Sequence, residues 1–114
     1  MTESPDERSR RVGHNEALYR QVNERIEALN ETFGAVAGDF AVICECGDLG
    51  CKDQMSVSRE AYEQTRANPA RFLVRPGHEA LDVERVVGRD DDYVVVEKVP
   101  QEAVRRAEET DPRS

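Results

Sequence analysis

Three cysteines and one of two histidines hold most of the chemistry this sequence can do. Cys44, Cys46 and Cys51 fall within the eight residues CECGDLGC, and the 114-residue chain has no other cysteine. Cys44 and Cys46 are two positions apart in a run, DFAVICEC, with the β-branched and aromatic content of a strand. Strand alternation points both side chains to one face, where their sulfurs can flank one ion. Gly47 and Gly50 offer a turn in which positive φ is allowed and backbone N–H groups can approach sulfur, which brings Cys51 back to the same point. Three thiolates leave a tetrahedral zinc one ligand short, and only His14 and His78 can supply an imidazole. His78 sits in a tight Pro76-Gly77-His78 turn that aims its ring, whereas His14 lies at the edge of a helix. The expected metal ligands are Cys44, Cys46, Cys51 and His78, with Asp48, Asp53 or water as lesser candidates for the fourth position. Glu79, beside His78, reads either as an acceptor that orients the imidazole or as a surface carboxylate.

Other uses of the thiols are less compatible with their setting. Free cysteines are often plain buried apolar residues, but all of these sit in or beside a polar, glycine-containing turn. A disulfide from Cys44 or Cys46 to Cys51 is the redox-sensor reading, and Glu45, Asp48, Lys52 and Asp53 around the thiols are expected to keep solvent close. A Cys/His nucleophile would need an oxyanion hole or a substrate cleft, and nothing in the sequence marks one, so no catalytic residue is assigned. Iron is the chemical rival of zinc, because a Cys3His set can hold an iron–sulfur cluster. The CDGSH iron–sulfur proteins also begin with C-x-C. Here the third cysteine comes sooner, no Cys-Asp-Gly follows, and the histidine lies 27 residues beyond Cys51.

The elements that must position these groups read as helix, strand, strand, helix, strand, strand, strand, helix. Leu18, Tyr19, Val22, Ile26, Leu29 and Phe33 recur at helical spacing, which predicts an amphipathic helix from His14 to Phe33 with Asn15 as N-cap, Gly34 as stop, and Glu16, Arg20, Glu24, Arg25 and Glu27 on its solvated face. Residues 39–46 and QMSVS read as strands. Ser58 opens a second helix, with Ala61, Tyr62, Thr65 and Ala67 inward, that ends at Asn68-Pro69. FLV is a short extended piece. Val83–Val87 and Tyr93–Val99 form a hairpin whose tip, Asp90 to Asp92, is a solvated turn. QEAVRRAEET is a short polar final helix. The fold class is therefore α+β: a small single domain with a long N-terminal amphipathic helix, two short β-hairpins or a small, mostly antiparallel sheet, and a metal knuckle. Residues 1–13 read as a disordered arm, 14–110 as the domain and 111–114 as a frayed tail.

Composition bounds what remains. A chain of this length supports one core, and with 5% aromatic and 35% charged residues that core gains from a staple beyond apolar packing. The net charge is −8, with −5 of it in residues 76–114. Such a surface repels phosphate backbones, so direct nucleic-acid binding is disfavoured. The polar opening MTESPDERSRR lacks the apolar centre of a secretory signal, and no run approaches the length of a membrane span. The expectation is a cytoplasmic protein with no membrane attachment, in a compartment where clustered thiols hold metals more readily than disulfides.

The segments NEALYRQVNERIEALN, CECGDLGC, EAYEQTRANPARFLVRPGHE, VERVVGRDDDYVVVEK and ETDPRS together resemble a family of small, uncharacterised proteins of high-GC bacteria. Members share a C-x-C, a nearby third cysteine and a PGHE turn. The resemblance implies the same ligand set, Cys44, Cys46, Cys51 and His78, and implies no activity. The sequence thus points to a zinc-binding, non-enzymatic protein with a structural Cys3His site, acting through a protein partner or in regulation. The alternatives are a redox or metal sensor built on the thiols, or an iron–sulfur protein.

Overall fold

The structure is a computed structural model that describes residues 3–32 and 39–113. Its element order is α1 (Pro5–Thr32), β1 (Asp39–Ile43), β2 (Gln54–Ser58), α2 (Arg59–Arg66), β3 (Arg71–Val74), β4 (Glu84–Arg89), β5 (Val94–Lys98) and α3 (Gln101–Glu109). That is the order expected from the sequence. β1 and β2 form one antiparallel sheet, with Phe40 opposite Val57 and Val42 opposite Met55. The second sheet has the order β3-β5-β4, all antiparallel. A shift in register between Val86 and Gly88 marks a bulge in the β4–β5 hairpin. Phe40, Val42, Met55, Val57, Tyr62, Phe72, Leu73, Val74, Val94 and Val96 form the core between the sheets and helices. Phe40 and Tyr62 meet edge to face, with ring centroids 5.4 Å apart. Phe33 and Gly34, the expected end and stop of the first helix, lie outside the described residues.

The first helix differs from its sequence reading in two ways. It begins at Pro5, so residues 5–13 are helical and not a disordered arm. The cause is local: Ser4 caps the helix by accepting the Glu7 N–H at 3.1 Å, Pro5 takes the first helical position, and Asp6 and Glu7 complement the positive end of the helix dipole. Arg8 then fixes this turn to the loop before β4 through a bidentate pair with Asp82, at 2.8 and 3.1 Å.

The second difference is rotation. The buried row of α1 is Ser9, Val12, Glu16, Arg20, Asn23 and Glu27, whereas Leu18, Val22 and Leu29 are 43%, 37% and 57% exposed. Glu16, Arg20 and Glu27, expected on the solvated face, point inward because each meets a built partner. Lys98 Nζ donates to Glu16 at 2.7 Å and to Glu84 at 3.3 Å, all three side chains being fully buried. Burial, against the opposing pull of the Lys98 charge, pushes the Glu16 carboxyl above its usual range. Arg20 donates to the carbonyls of Pro69 and Ala107 at 2.6 and 2.9 Å, and its guanidinium lies 4.7 Å from the centre of the Phe72 ring. Asn23 pairs with both backbone groups of Ile43, at 2.8 Å each.

Two smaller readings also change. Arg66, not Ala67, is the inward residue at the end of α2. The tail expected to fray is held, since Arg113 donates to Glu24 and Glu63, at 2.5 Å each, and lies 3.6 Å from Glu27.

In this clasp, burial first and the neighbouring Glu63 second raise the Glu27 carboxyl from its ordinary 4.5 to about 7. The folded state therefore binds this proton more tightly than the unfolded chain. Its contribution to stability is complete below pH 4.5 and is lost as pH rises through about 7. Glu27→Gln, which keeps a neutral side chain at every pH, is expected to raise the melting temperature at pH 8 and to leave it nearly unchanged at pH 5. Thermal melts of both proteins at the two pH values check this, and an equal shift at both would show that the proton plays no part.

Candidate metal centre

β1 ends at Ile43, but its backbone pairing continues into the thiol segment. The Cys44 N–H donates to the Asp53 carbonyl at 2.8 Å, prolonging the first sheet, and the Glu45 N–H donates to the Leu73 carbonyl of β3 at 2.7 Å. Residues 44–46 thus join the two sheets. The extended alternation turns both sulfurs to one side and the Glu45 side chain to the other. Glu45 was expected among the solvated groups around the thiols. It is instead fully buried: Oε1 accepts from Arg66 Nη2 at 2.6 Å and from the Leu73 N–H at 2.9 Å, and Oε2 accepts from Asn23 Nδ2 at 2.7 Å.

The knuckle that returns Cys51 is built by Asp48. Its carbonyl accepts the Cys51 N–H at 3.0 Å and its Oδ1 accepts the Gly50 N–H at 2.9 Å, so this carboxylate closes the turn. Neither Gly47 nor Gly50 uses positive φ. Gly47 serves a close approach: a Cβ there would lie 2.7–3.0 Å from the Val12 side chain of α1. Asn15 Nδ2 donates to the Gly47 carbonyl at 2.9 Å and the Tyr19 hydroxyl to the Leu49 carbonyl at 2.5 Å. Successive turns of α1 therefore clamp the knuckle. The chemical signal for this was present as Asn15 and Tyr19, but only the helix rotation reveals it.

His78 arrives from the other half of the chain. The His78 N–H donates to the Arg75 carbonyl at 2.9 Å, and Gly77 has φ +93°. Pro76 and Gly77 are thus the central residues of a type II turn, in which the third position demands positive φ. Arg75, at the start of this turn, donates its own N–H to Cys44 Sγ at 3.2 Å, and Nη1 to Asp92 Oδ1 at 2.6 Å. This backbone donor to sulfur comes from the turn after β3. Asp92, expected in a solvated hairpin tip, is held by Arg75 and by the Ser56 N–H. Gly77→Ala would force an L side chain into left-handed backbone at a cost of about 1–2 kcal/mol. No steric contact adds to this, since a Cβ there meets nothing within 4 Å. The expected result is a modest loss in melting temperature together with weaker metal retention, measured by chelator competition. Unchanged retention would separate the turn from the site.

Cys44, Cys46, Cys51 and His78 come together, with all four ligand atoms within 4.8 Å of one another. His78 presents Nδ1, which lies 3.5 Å from the sulfurs of both Cys44 and Cys51. A tetrahedral ion with bonds of ~2.3 Å to sulfur and ~2.0–2.1 Å to nitrogen sets its ligand atoms roughly 3.5–3.8 Å apart, so the group can hold a metal ion. Asp53 Oδ2 lies 3.6 Å from His78 Nε2, just beyond hydrogen-bond reach. Asp53 therefore faces the outer nitrogen of the imidazole. Glu79, read either as an orienter of the imidazole or as a surface carboxylate, accepts from the Gly77 N–H and stabilises the turn. His14 is exposed on α1, away from the thiols.

The sulfurs are unequal. Cys44 donates a hydrogen bond to Cys46 and is buried, and both effects push its thiol far up. Accepting that bond, against the opposing effect of burial, pulls Cys46 down to about 5. Burial raises Cys51. One thiolate is therefore ready at neutral pH, with the proton held next door. A cleft of about 340 Å³ lined by Arg8, Arg11, Cys46 and His78 opens this edge of the site to solvent.

No family model matches the chain, and no curated protein or solved structure is significantly similar to it. Among the described residues, no helix is long and apolar enough to cross a membrane.

Proposed function

We propose that this protein is a small, cytoplasmic, non-enzymatic zinc-binding module whose Cys3His site is structural and whose folded surface serves protein interaction or regulation. The observation that carries the reading is the spacing of the four ligand atoms, all within 4.8 Å. That spacing suits one ion, whereas a two-iron cluster divides its protein ligands between two metals and spreads them further apart. Three thiolates with one imidazole is a recurrent closed zinc set. The backbone around it supports a structural role, because the ligands join the segment between the sheets to the turn after β3, and a metal there ties residue 44 to residue 78. Elemental mass spectrometry of the purified protein, with an absorbance spectrum on the same sample, is the test. One colourless zinc per chain supports the proposal. Iron with visible absorbance overturns it in favour of a cluster protein.

A second reading, a thiol-based redox or metal sensor, is favoured by one feature. Cys51 is only half-buried, and the cleft reaches Cys46, whereas reactive thiols need access and a lowered pKa. Rapid, reversible metal release on mild peroxide is its signature, and thiols inert under those conditions would exclude it.

A further inference from the structure

The outward face of α1 has an unusual make-up for this chain. Between Arg8 and Leu29 the exposed positions are Arg10, Arg11, His14, Leu18, Gln21, Val22, Arg25, Ala28 and Leu29. Not one is acidic, although the whole protein carries a net charge of −8. The three acids in this stretch, Glu16, Glu24 and Glu27, are turned inward onto Lys98 and Arg113. Leu18, Val22, Arg25 and Leu29 follow one another at helical spacing along a single line. The helix thus buries a mainly polar row together with Val12 and Ala17, and leaves Leu18, Val22 and Leu29 outside with basic side chains beside them. An amphipathic helix that only packed on its own domain would do the reverse, and a contiguous exposed apolar strip is a mark of an interaction site.

We infer that this face is the docking surface for a protein partner, an acidic segment with apolar residues at matching helical or extended spacing. Charge decides among the occupants. Two copies joined through this face would bring Arg25 and its basic neighbours against their own kind. An anionic bilayer would be repelled by the remainder of the acidic chain, and the strip has no tryptophan or phenylalanine to anchor in the lipid interface. Phosphate backbones would leave the central apolar line uncovered. An acidic amphipathic segment satisfies both parts of the face, covering Leu18, Val22 and Leu29 and placing carboxylates beside Arg10, His14 and Arg25. Arg11 is already paired with Glu3, at 2.9 and 3.1 Å, so the demand for charge is strongest around Arg25. The inference rests on the interaction role proposed above, but not on which metal is bound.

The test uses the full chain and a synthetic amphipathic peptide of leucine and glutamate, with a scrambled peptide of the same composition, titrated by fluorescence anisotropy at low and high salt. Backbone NMR shifts map the contact. Binding is expected to centre on Leu18–Leu29, to weaken with salt, and to fall at least about tenfold in Arg25→Glu and in Val22→Ser/Leu29→Ser. Metal content and melting temperature of the variants are measured in parallel, so that a lost metal site is told apart from a lost surface. Equal binding of both peptides or by all variants would overturn the inference. So would a dimer in sedimentation that Val22→Ser abolishes, or tighter binding to phosphatidylglycerol vesicles than to the peptide.

Discussion

Cys46→Ser is expected to abolish stoichiometric metal binding and to lower the melting temperature by more than about 15 °C. Apparent binding energies of structural zinc are about 10–16 kcal/mol. Even a third of that is ~3–5 kcal/mol, comparable with the whole stability of a small domain. At about 4–8 °C per kcal/mol for a domain of this class, the thermal shift is large. The physical reason lies in what the site joins. Without a metal, the segment between the sheets and the His78 turn meet through the hydrogen bond from the Arg75 N–H to Cys44 and through sulfur–imidazole contacts. Metal affinity should also fall as pH is lowered, because Cys44 and Cys51 must give up protons while Cys46 already holds little. Two displaced protons correspond to about a hundredfold per pH unit near neutrality. Calorimetry with and without chelator, with metal analysis of the variant, checks the first expectation. A variant that kept both one metal per chain and the parent melting temperature would sink the structural reading.

Glu45→Ala should be nearly as damaging, although it touches no metal ligand atom. The change leaves the Arg66 guanidinium, 1% exposed, without its carboxylate, and strips acceptors from the Leu73 N–H and from Asn23 Nδ2. Arg66 keeps its contact with the Tyr62 ring, 5.0 Å away, but a cation over an aromatic face does not replace a buried carboxylate. Breaking one partner of a buried pair costs about 3–5 kcal/mol. Replacing both, as in Glu45→Leu/Arg66→Met, should recover much of the loss, since an apolar pair is often as stable as the ionic one. Recovery will be incomplete because the Leu73 amide still lacks an acceptor. Urea unfolding of the two single variants and the double variant gives the coupling. A single-variant cost below about 1 kcal/mol would mean that the pair is not held as described.

The thiols and the Pro-Gly-His turn were legible in the sequence because ligand chemistry is a property of residue type, and because Pro76-Gly77 dictates a turn without help from the remainder of the fold. The order of elements was legible for a similar reason, as each short strand is bounded by its own turn residues. The orientation of α1 was not. Counting apolar residues selects Leu18, Tyr19, Val22, Ile26, Leu29 and Phe33, of which Ile26 does pack against the core, but what the body mainly offers that helix is Lys98, the backbone of Ile43 and the carbonyls of Pro69 and Ala107. Such partners are set by tertiary structure, so no local window can weigh them. Glu45 was misread for the same reason: between two thiols in a polar segment it looks solvated, and only the arrival of Arg66 and β3 makes burial affordable. The Ser4-Pro5-Asp6-Glu7 start of the helix was readable from capping chemistry alone, and low apolar content hid it.

The partners of α1 also bear on the order in which the fold closes. Its contacts reach 74 residues ahead to Asp82, 82 to Lys98, 87 to Ala107 and 89 from Glu24 to Arg113. Arg20 meets the Pro69 carbonyl 49 residues on but the Ala107 carbonyl only 87 residues on, and Lys98, the partner of Glu16, comes 82 residues after it. Both hairpins can close on local contacts, whereas α1 must wait beside them with its polar row in water. Docking of α1 therefore closes the longest loops in the fold, and it is expected to be slower than closure of either hairpin.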